Sequence, residues 1–274
     1  MILNPILRNG FNQVLVNYHN LLWGNPPINE VDFIDKTVQS FCNLNLNVQN
    51  QKLTTRAVKI HPTPQVRYYP NGFQNQIPNI RIEMGDILYI FKHRVNGNLV
   101  TRRGMVVQVK YTMEDRLRWH IDIDQFRFLC NWHPFHIVSP QIPGNYTVHP
   151  RTNSWSMYGF IGPNAMNYPV YYSANRIRNH RGGIPAGDAF TYWILPYYSW
   201  DTDTSFFMKL IQGYLGENLI SNNNIAQFVN QLYRYMQWLP DPPEDPQWNG
   251  ESIKGEKGLG IIEFTLEGDF DLEE

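Results

Sequence analysis

The feature that most restricts the fold is a pair of apolar, β-branched runs, Ile80–Val95 and Leu99–Tyr111, joined by Asn96-Gly97-Asn98. Asn-Gly between two such runs is a strong signal for a β-hairpin, because both residues tolerate the positive φ that tight hairpin turns require. In the second run, Met105-Val106-Val107-Gln108-Val109-Lys110, apolar residues occupy both faces. Such a strand belongs in the middle of a sheet covered on both sides, which predicts an α/β protein. Gln108 and Lys110 are therefore conspicuous, since a polar group in a doubly covered strand is costly unless it is hydrogen-bonded or ligating.

Alternation places Gln108 and Lys110 on one face. Whether Asp86, at the head of the first run, joins them depends on the turn. Cross-strand partners in a hairpin have a constant sum of residue numbers. A two-residue loop at Asn96-Gly97 makes the sum odd, pairs Asp86 with Val107 and points the carboxylate away. An even sum needs a three-residue loop with Gly97 near αL, or a compensating bulge at Gly85 or Gly104. With an even sum, one carboxylate, one amide oxygen, nearby carbonyls and one ammonium converge, a set that suits Mg²⁺ or Mn²⁺ and a lysine-oriented water.

The flanking segments supply helices and strands. Apolar residues recur at helical spacing from Ile6 to Trp23, ended by Gly24-Asn25-Pro26-Pro27, and again from Asn29 to Leu44, where Asn29 is a candidate cap. Thr55–His61 alternates as a strand, Ile121–Trp132 suits a helix, and Phe135–Val138 suits a short strand. The order from Asn29 to Val138 thus reads α, β, β, β, α, β. Beyond Pro140 the signals weaken, with helices expected over Thr204–Leu215 and Asn224–Leu239 and a last strand over Gly258–Leu266.

At this point the chain resembles the PD-(D/E)xK, restriction-endonuclease-like nucleases, in particular the QxK variants seen in Mrr-like restriction enzymes. The matching residues are Asp86 and Gln108-Val109-Lys110, with the element order above. The resemblance implies a restriction-endonuclease-like core over residues 1–140, including the N-terminal helix, and an α+β extension over 141–274 packed on it with an acidic tail. It implies a Mg²⁺- or Mn²⁺-dependent endonuclease hydrolysing DNA phosphodiesters, RNA being the less expected substrate. Asp86, Gln108 and the Val109 carbonyl would hold the metal and Lys110 would help activate the water. Glutamine in place of glutamate removes one negative charge, so a further acid is expected from Glu30 or Glu83. Gln125 follows on the next helix, where some branches place a glutamine that reaches the site. Each has a blander alternative: Glu30 as a first-turn acid favoured by the helix dipole, Glu83 as a residue facing away, Gln125 as a surface amide. The resemblance also implies a cytoplasmic prokaryotic defence effector with an activating partner protein, and leaves room for a homo-oligomer. The other reading is a non-catalytic nucleic-acid-binding or assembly subunit that keeps a nuclease-like fold.

Charge is compatible with a polyanionic substrate once it is resolved along the chain. The 274 residues carry a formal net charge of −1. From Arg56 to Arg127, however, twelve Lys or Arg face six Asp or Glu, whereas Asp241–Glu274 holds eleven acids and two lysines. Arg94, Arg102 and Arg103 flank the hairpin, and Lys92, Arg116 and Arg118 are expected beside the site as phosphate contacts. Two cysteines, Cys42 and Cys130, have no metal-ligand spacing and suit a reducing compartment. His120, His133 and His136 lack zinc-site spacing, and neither a G-x-S-x-G elbow nor a P-loop occurs. The N-terminal apolar stretch is broken by Asn4, Pro5 and Arg8, so neither a signal segment nor a membrane span is expected.

Overall fold

A computed structural model describes residues 3–60, 65–69, 80–114, 117–138, 144–162, 166–193, 201–221, 223–235 and 258–268. Helix α1 (Pro5–Gly24) starts where the Asn4 side chain accepts the Ile6 N–H at 2.9 Å. Its Leu7, Phe11, Leu15, Tyr18 and Leu22, three or four apart, are all buried. Helix α2 (Glu30–Phe41) starts at Asn29, whose side chain accepts the Asp32 N–H at 2.8 Å, as its sequence position predicts. Strands β1 (Asn45–Val48) and β2 (Gln51–Ile60) follow, then β3 (Gln65–Tyr68), β4 (Ile80–Glu83), β5 (Ile87–Val95) and β6 (Asn98–Tyr111).

Strand β7 (Arg118–Asp122) runs directly into α3 (Ile123–Asn131), and β8 (Phe135–Ile137) and β9 (Asn145–Tyr146) come next. The second half contributes β10 (Ser156–Gly162), β11 (Met166–Ser173), α4 (Ala174–His180), β12 (Ala189–Trp193), β13 (Asp201–Thr202), α5 (Asp203–Ile211), β14 (Glu217–Asn218), α6 (Asn223–Tyr235) and β15 (Leu259–Glu267).

The result is a mixed α/β architecture. The central sheet runs β1-β2-β15-β5-β6-β10-β11-β13, with β14 also pairing β6. Strands β10 and β15 lie parallel to β6 and β5, and the other pairs are antiparallel. One face carries Tyr89, Phe91, Val107 and Val109 against α1, α2 and α5; the other carries Leu88, Ile90, Val106 and Tyr158 against α3, α4 and α6. Strict alternation along β5 and β6 thus feeds two cores, which explains why both runs are apolar on both faces. Two smaller sheets, β4-β3-β8-β9 and β12-β7, stand apart from the central one. Among the described residues no helix is long and apolar enough to cross a membrane.

Three departures from the sequence reading have physical reasons. The run Ile80–Val95 is two strands, because the chain turns at Met84-Gly85 and β4 leaves for the smaller sheet. A Cβ on Gly85 would collide with Val106 Cγ1, so the crossing is open only to glycine. The short strand at Phe135 forms, but in that smaller sheet; the strand beside β6 is β10. The hairpin turn is the two-residue Asn96-Gly97, with φ of 50° and 78°, and Val95 pairs with Asn98. The register is corrected at neither Gly85 nor Gly104. It shifts between the pairs Arg94–Leu99 and His93–Thr101, which leaves Val100 as the extra residue and makes all later sums even.

Candidate active site

That shift puts Asp86 opposite Gln108. Asp86 is held from both sides by its backbone: its N–H donates to the Val107 carbonyl at 2.9 Å and its carbonyl accepts from Gly260 N–H at 2.8 Å. It therefore sits between β6 and β15 with its carboxylate buried. Oδ2 accepts the Val109 N–H at 2.7 Å and a bond from Gln108 Nε2. The same Nε2 lies 3.2 Å from the Val109 carbonyl, while Gln108 Oε1 accepts from Gln125 Nε2 at 2.5 Å. Gln125 also reaches the Glu83 carbonyl at 3.2 Å. The start of α3 fixes its position, since the Asp122 side chain caps that helix by accepting the Gln125 N–H at 2.7 Å.

The helix on the other side of the sheet brings in charge. Glu30, in the first turn of α2, accepts the Tyr111 N–H at 3.3 Å, and its Oε1 lies 3.9 Å from Lys110 Nζ. Burial, followed by the Glu30 charge, pushes the Asp86 carboxyl up from its ordinary 3.8 to about 8, with a smaller push from Glu83. The Lys110 ammonium and the Val109 N–H act in the opposite sense but do not cancel the shift. Asp86, Gln108, Lys110, Gln125, Glu30 and Glu83 thus influence one another at the end of the central sheet, between the N-termini of α2 and α3.

A hard cation would need oxygen groups beside the Asp86 carboxylate, whose charged form is disfavoured by burial and by the Glu30 charge, and whose present partners are the N–H groups of Gln108 and Val109. Among the described residues no three of His, Cys, Asp and Glu converge as a ligand set, so amide and carbonyl oxygens of Gln108 and Val109 would complete it. Gln108 currently turns its nitrogen to Asp86 and its oxygen to Gln125. To ligate beside Asp86 its amide must turn over, with Gln125 presenting its own oxygen in return.

Of the expected phosphate-binding residues, those on the hairpin lie away from this end of the sheet. Arg103 is seven residues from Lys110 along an extended strand, roughly 24 Å at about 3.4 Å per residue. It donates to the Gly216 carbonyl at 2.9 Å, and Arg102 donates to Asn230 Oδ1 at 2.8 Å. Arg94, at the same far end of the hairpin, accepts the Gly268 N–H on its carbonyl. Lys92 is buried in an ion pair with Glu263 at 2.8 Å, and Arg118 lies 3.8 Å over the Trp193 ring. Arg116 lies outside the described residues.

One neighbour of the site escaped the sequence reading. Tyr158 stands beside Gln108 in the parallel β10–β6 register, fully buried, with no hydrogen-bond partner for its hydroxyl among the described residues. Burial, and then the charges of Cys130, Asp122 and Asp86, raise its phenol well above its ordinary range. The only sequence signal was a tyrosine within the apolar run Met157–Ile161.

Comparison with protein-family models, curated proteins and solved structures finds no match to this chain.

Proposed function

We propose that the chain is a metal-dependent endonuclease that hydrolyses DNA phosphodiester bonds on a restriction-endonuclease-like core. The observation that carries this reading is the meeting of Asp86 and Gln108 across adjacent strands, with Lys110 two residues further on and Glu30 and Gln125 delivered by the flanking helices. Glu30 comes from α2, Asp86 from the head of β5, Gln108 and Lys110 from β6 and Gln125 from α3; the sheet departs from the expected core in that β15 separates β2 from β5 and β10, not the Phe135 strand, lies beside β6.

In this reading Asp86, Gln108 and the Val109 carbonyl hold Mg²⁺ or Mn²⁺, and Glu30 supplies the charge that glutamine at position 108 does not. A bound cation supplies positive charge for the phosphodiester oxygens. Lys110, tethered to Glu30, orients the attacking water, and Gln125 sets the plane of the Gln108 amide. The placement of Arg94, Arg102 and Arg103 away from Lys110 supports an effector that needs a partner protein to reach DNA, as in prokaryotic cytoplasmic defence.

A second reading, a non-catalytic binding or assembly subunit, is favoured by one observation: the Asp86–Gln108–Gln125 chain satisfies itself without an ion. Incubation of plasmid DNA and RNA with the protein in Mg²⁺, Mn²⁺ or EDTA, beside Asp86→Ala and Lys110→Ala, separates the two. Cleavage that needs the metal and falls by about 10²-fold or more in both variants is expected. Equal cutting by all three proteins rejects the nuclease assignment.

A further inference from the structure

The two-stranded ribbon of β7 and β12 gathers cationic and aromatic side chains on the α3 and α4 side of the central sheet. Its Trp119, Ile121, Phe190 and Tyr192 are buried in the core on that side, so alternation turns Arg118, His120, Thr191 and Trp193 outward. Arg118 and Trp193 are cross-strand partners, and the guanidinium lies 3.8 Å over the indole, which stays 50% exposed. Beside them Thr191 Oγ1 and His120 Nδ1 share a hydrogen bond at 3.4 Å. Arg181, just past the end of α4, crosses to the ribbon: it donates to the Thr191 carbonyl at 3.3 Å and its guanidinium lies 4.7 Å over the Phe190 ring. Arg176, earlier on the same helix, lies 5.2 Å over the Tyr172 ring.

Among the described residues Arg118, Arg176 and Arg181 have no carboxylate partner, whereas Lys36, Lys59, Lys92, Lys110 and Arg127 each have one. An aromatic ring holds a guanidinium in place and leaves its charge uncompensated. Asp122, the ribbon's own acid, is four residues from Arg118, about 13 Å along an extended strand, and is engaged in capping α3. Fixed cations with an exposed indole among them match a chain of phosphates whose bases are free to stack, the combination by which proteins hold single strands. A duplex keeps its base faces covered by one another and offers none to Trp193.

We propose that this ribbon and the end of α4 bind single-stranded nucleic acid, with phosphates at Arg118, Arg176 and Arg181 and a base added to the Arg118–Trp193 stack. The ribbon stands next to the candidate active site. Trp119, the neighbour of Arg118, donates through Nε1 to the Ile161 carbonyl at 3.0 Å, and the same carbonyl accepts at 3.1 Å from the N–H of Thr112, two residues beyond Lys110. A strand on Trp193 therefore lies by the Lys110 end of β6, from which Arg94, Arg102 and Arg103 are remote. That this strand is a substrate rests on the nuclease reading; that it binds does not.

Fluorescence anisotropy in EDTA, where metal-dependent cleavage is stopped, measures binding of the full chain to a short single-stranded DNA, its RNA equivalent, its abasic counterpart and the DNA duplex. The variants are Trp193→Ala and Arg181→Gln, both at exposed positions, with Arg8→Gln, exposed on α1 across the central sheet, as the charge-matched control. The intact single strand, as DNA or RNA, should bind more tightly than the abasic strand and the duplex. Trp193→Ala should weaken it about tenfold or more, Arg181→Gln should weaken it and flatten its salt dependence, and Arg8→Gln should do neither. The proposal is overturned if no single strand binds at about 10⁻⁴ M protein, where even non-specific contacts register. It is equally overturned if the abasic strand or the duplex binds as well as the intact strand, if the ribbon variants bind as the wild type does, or if Arg8→Gln weakens binding as much as they do. Failure here leaves the Asp86→Ala cleavage test standing, and failure of that test leaves this surface standing.

Discussion

Asp86 and Gln108 face one another across β5 and β6 because one residue, Val100, stands out of the ladder near the hairpin turn. That register encloses the Asp86 carboxyl between two strands and against the Val109 N–H. Burial and the Glu30 charge then raise it to about 8, while the unfolded chain keeps it near 3.8. Over this interval the folded chain binds the extra proton, so the stability from Asp86 is full below the unfolded value and is lost as pH rises through about 8.

Asp86→Asn keeps an acceptor for Val109 and Gln108 and removes the titration. Thermal melts between about pH 5 and about pH 9 should show the wild type losing stability toward the alkaline side. The variant should not share this loss and should melt higher than wild type at the alkaline end. Parallel curves would show that Asp86 is not the group that titrates.

Cation binding competes with the same proton. Mn²⁺ affinity, read by electron paramagnetic resonance of the free ion, should tighten about tenfold per pH unit up to about 8 and then level off. In Asp86→Asn the affinity should drop and the slope vanish. A wild-type affinity indifferent to pH would place the ion away from Asp86.

Much of this arrangement is legible in local sequence. Asn29 caps the helix it precedes, Asn96-Gly97 turns the hairpin, and the two-faced apolar run at Met105–Val109 is the buried strand its pattern predicts. The polar exceptions in that run, Gln108 and Lys110, led to the candidate site. What local pattern does not carry is which strands become neighbours. Leu259–Glu267 reads as a strand, yet nothing within it says that it inserts between β2 and β5, some 170 residues away in sequence from its β5 partner. Neighbouring numbers also mislead about the arginines: Arg102 and Arg103 are close to Lys110 along the chain, but an extended strand carries them to the opposite end of the hairpin. The bulge at Val100 left no glycine to mark it, so its position had no sequence signal.

Gln125 connects the site to α3. Its Nε2 serves both Gln108 Oε1 and the Glu83 carbonyl, and the residue is buried. Gln125→Leu is nearly isosteric but leaves both acceptors without that donor, and should cost about 1–3 kcal/mol. Urea unfolding should show a lower midpoint with an unchanged slope. An unchanged midpoint would mean that solvent already serves those oxygens.

The far end of β5 offers an independent test of buried charge. Lys92 and Glu263 form an ion pair at 2.8 Å with side chains 10% and 4% exposed, and Glu263 also accepts from the Tyr233 hydroxyl. The Tyr233 ring lies 5.3 Å from the Lys92 ammonium and 5.1 Å from the Arg102 guanidinium. Removing one partner strands the other charge in the core, so Lys92→Met alone should cost about 3–5 kcal/mol. Replacing both, Lys92→Met with Glu263→Met, removes the stranded carboxylate and should recover more than half of that loss, because the desolvation cost of the pair disappears along with its attraction. Denaturant unfolding of the two single variants and the double variant closes the cycle. A double variant as unstable as the sum of the singles would show that the two charges are not coupled, and that the surrounding packing, not the ion pair, holds this end of the sheet together.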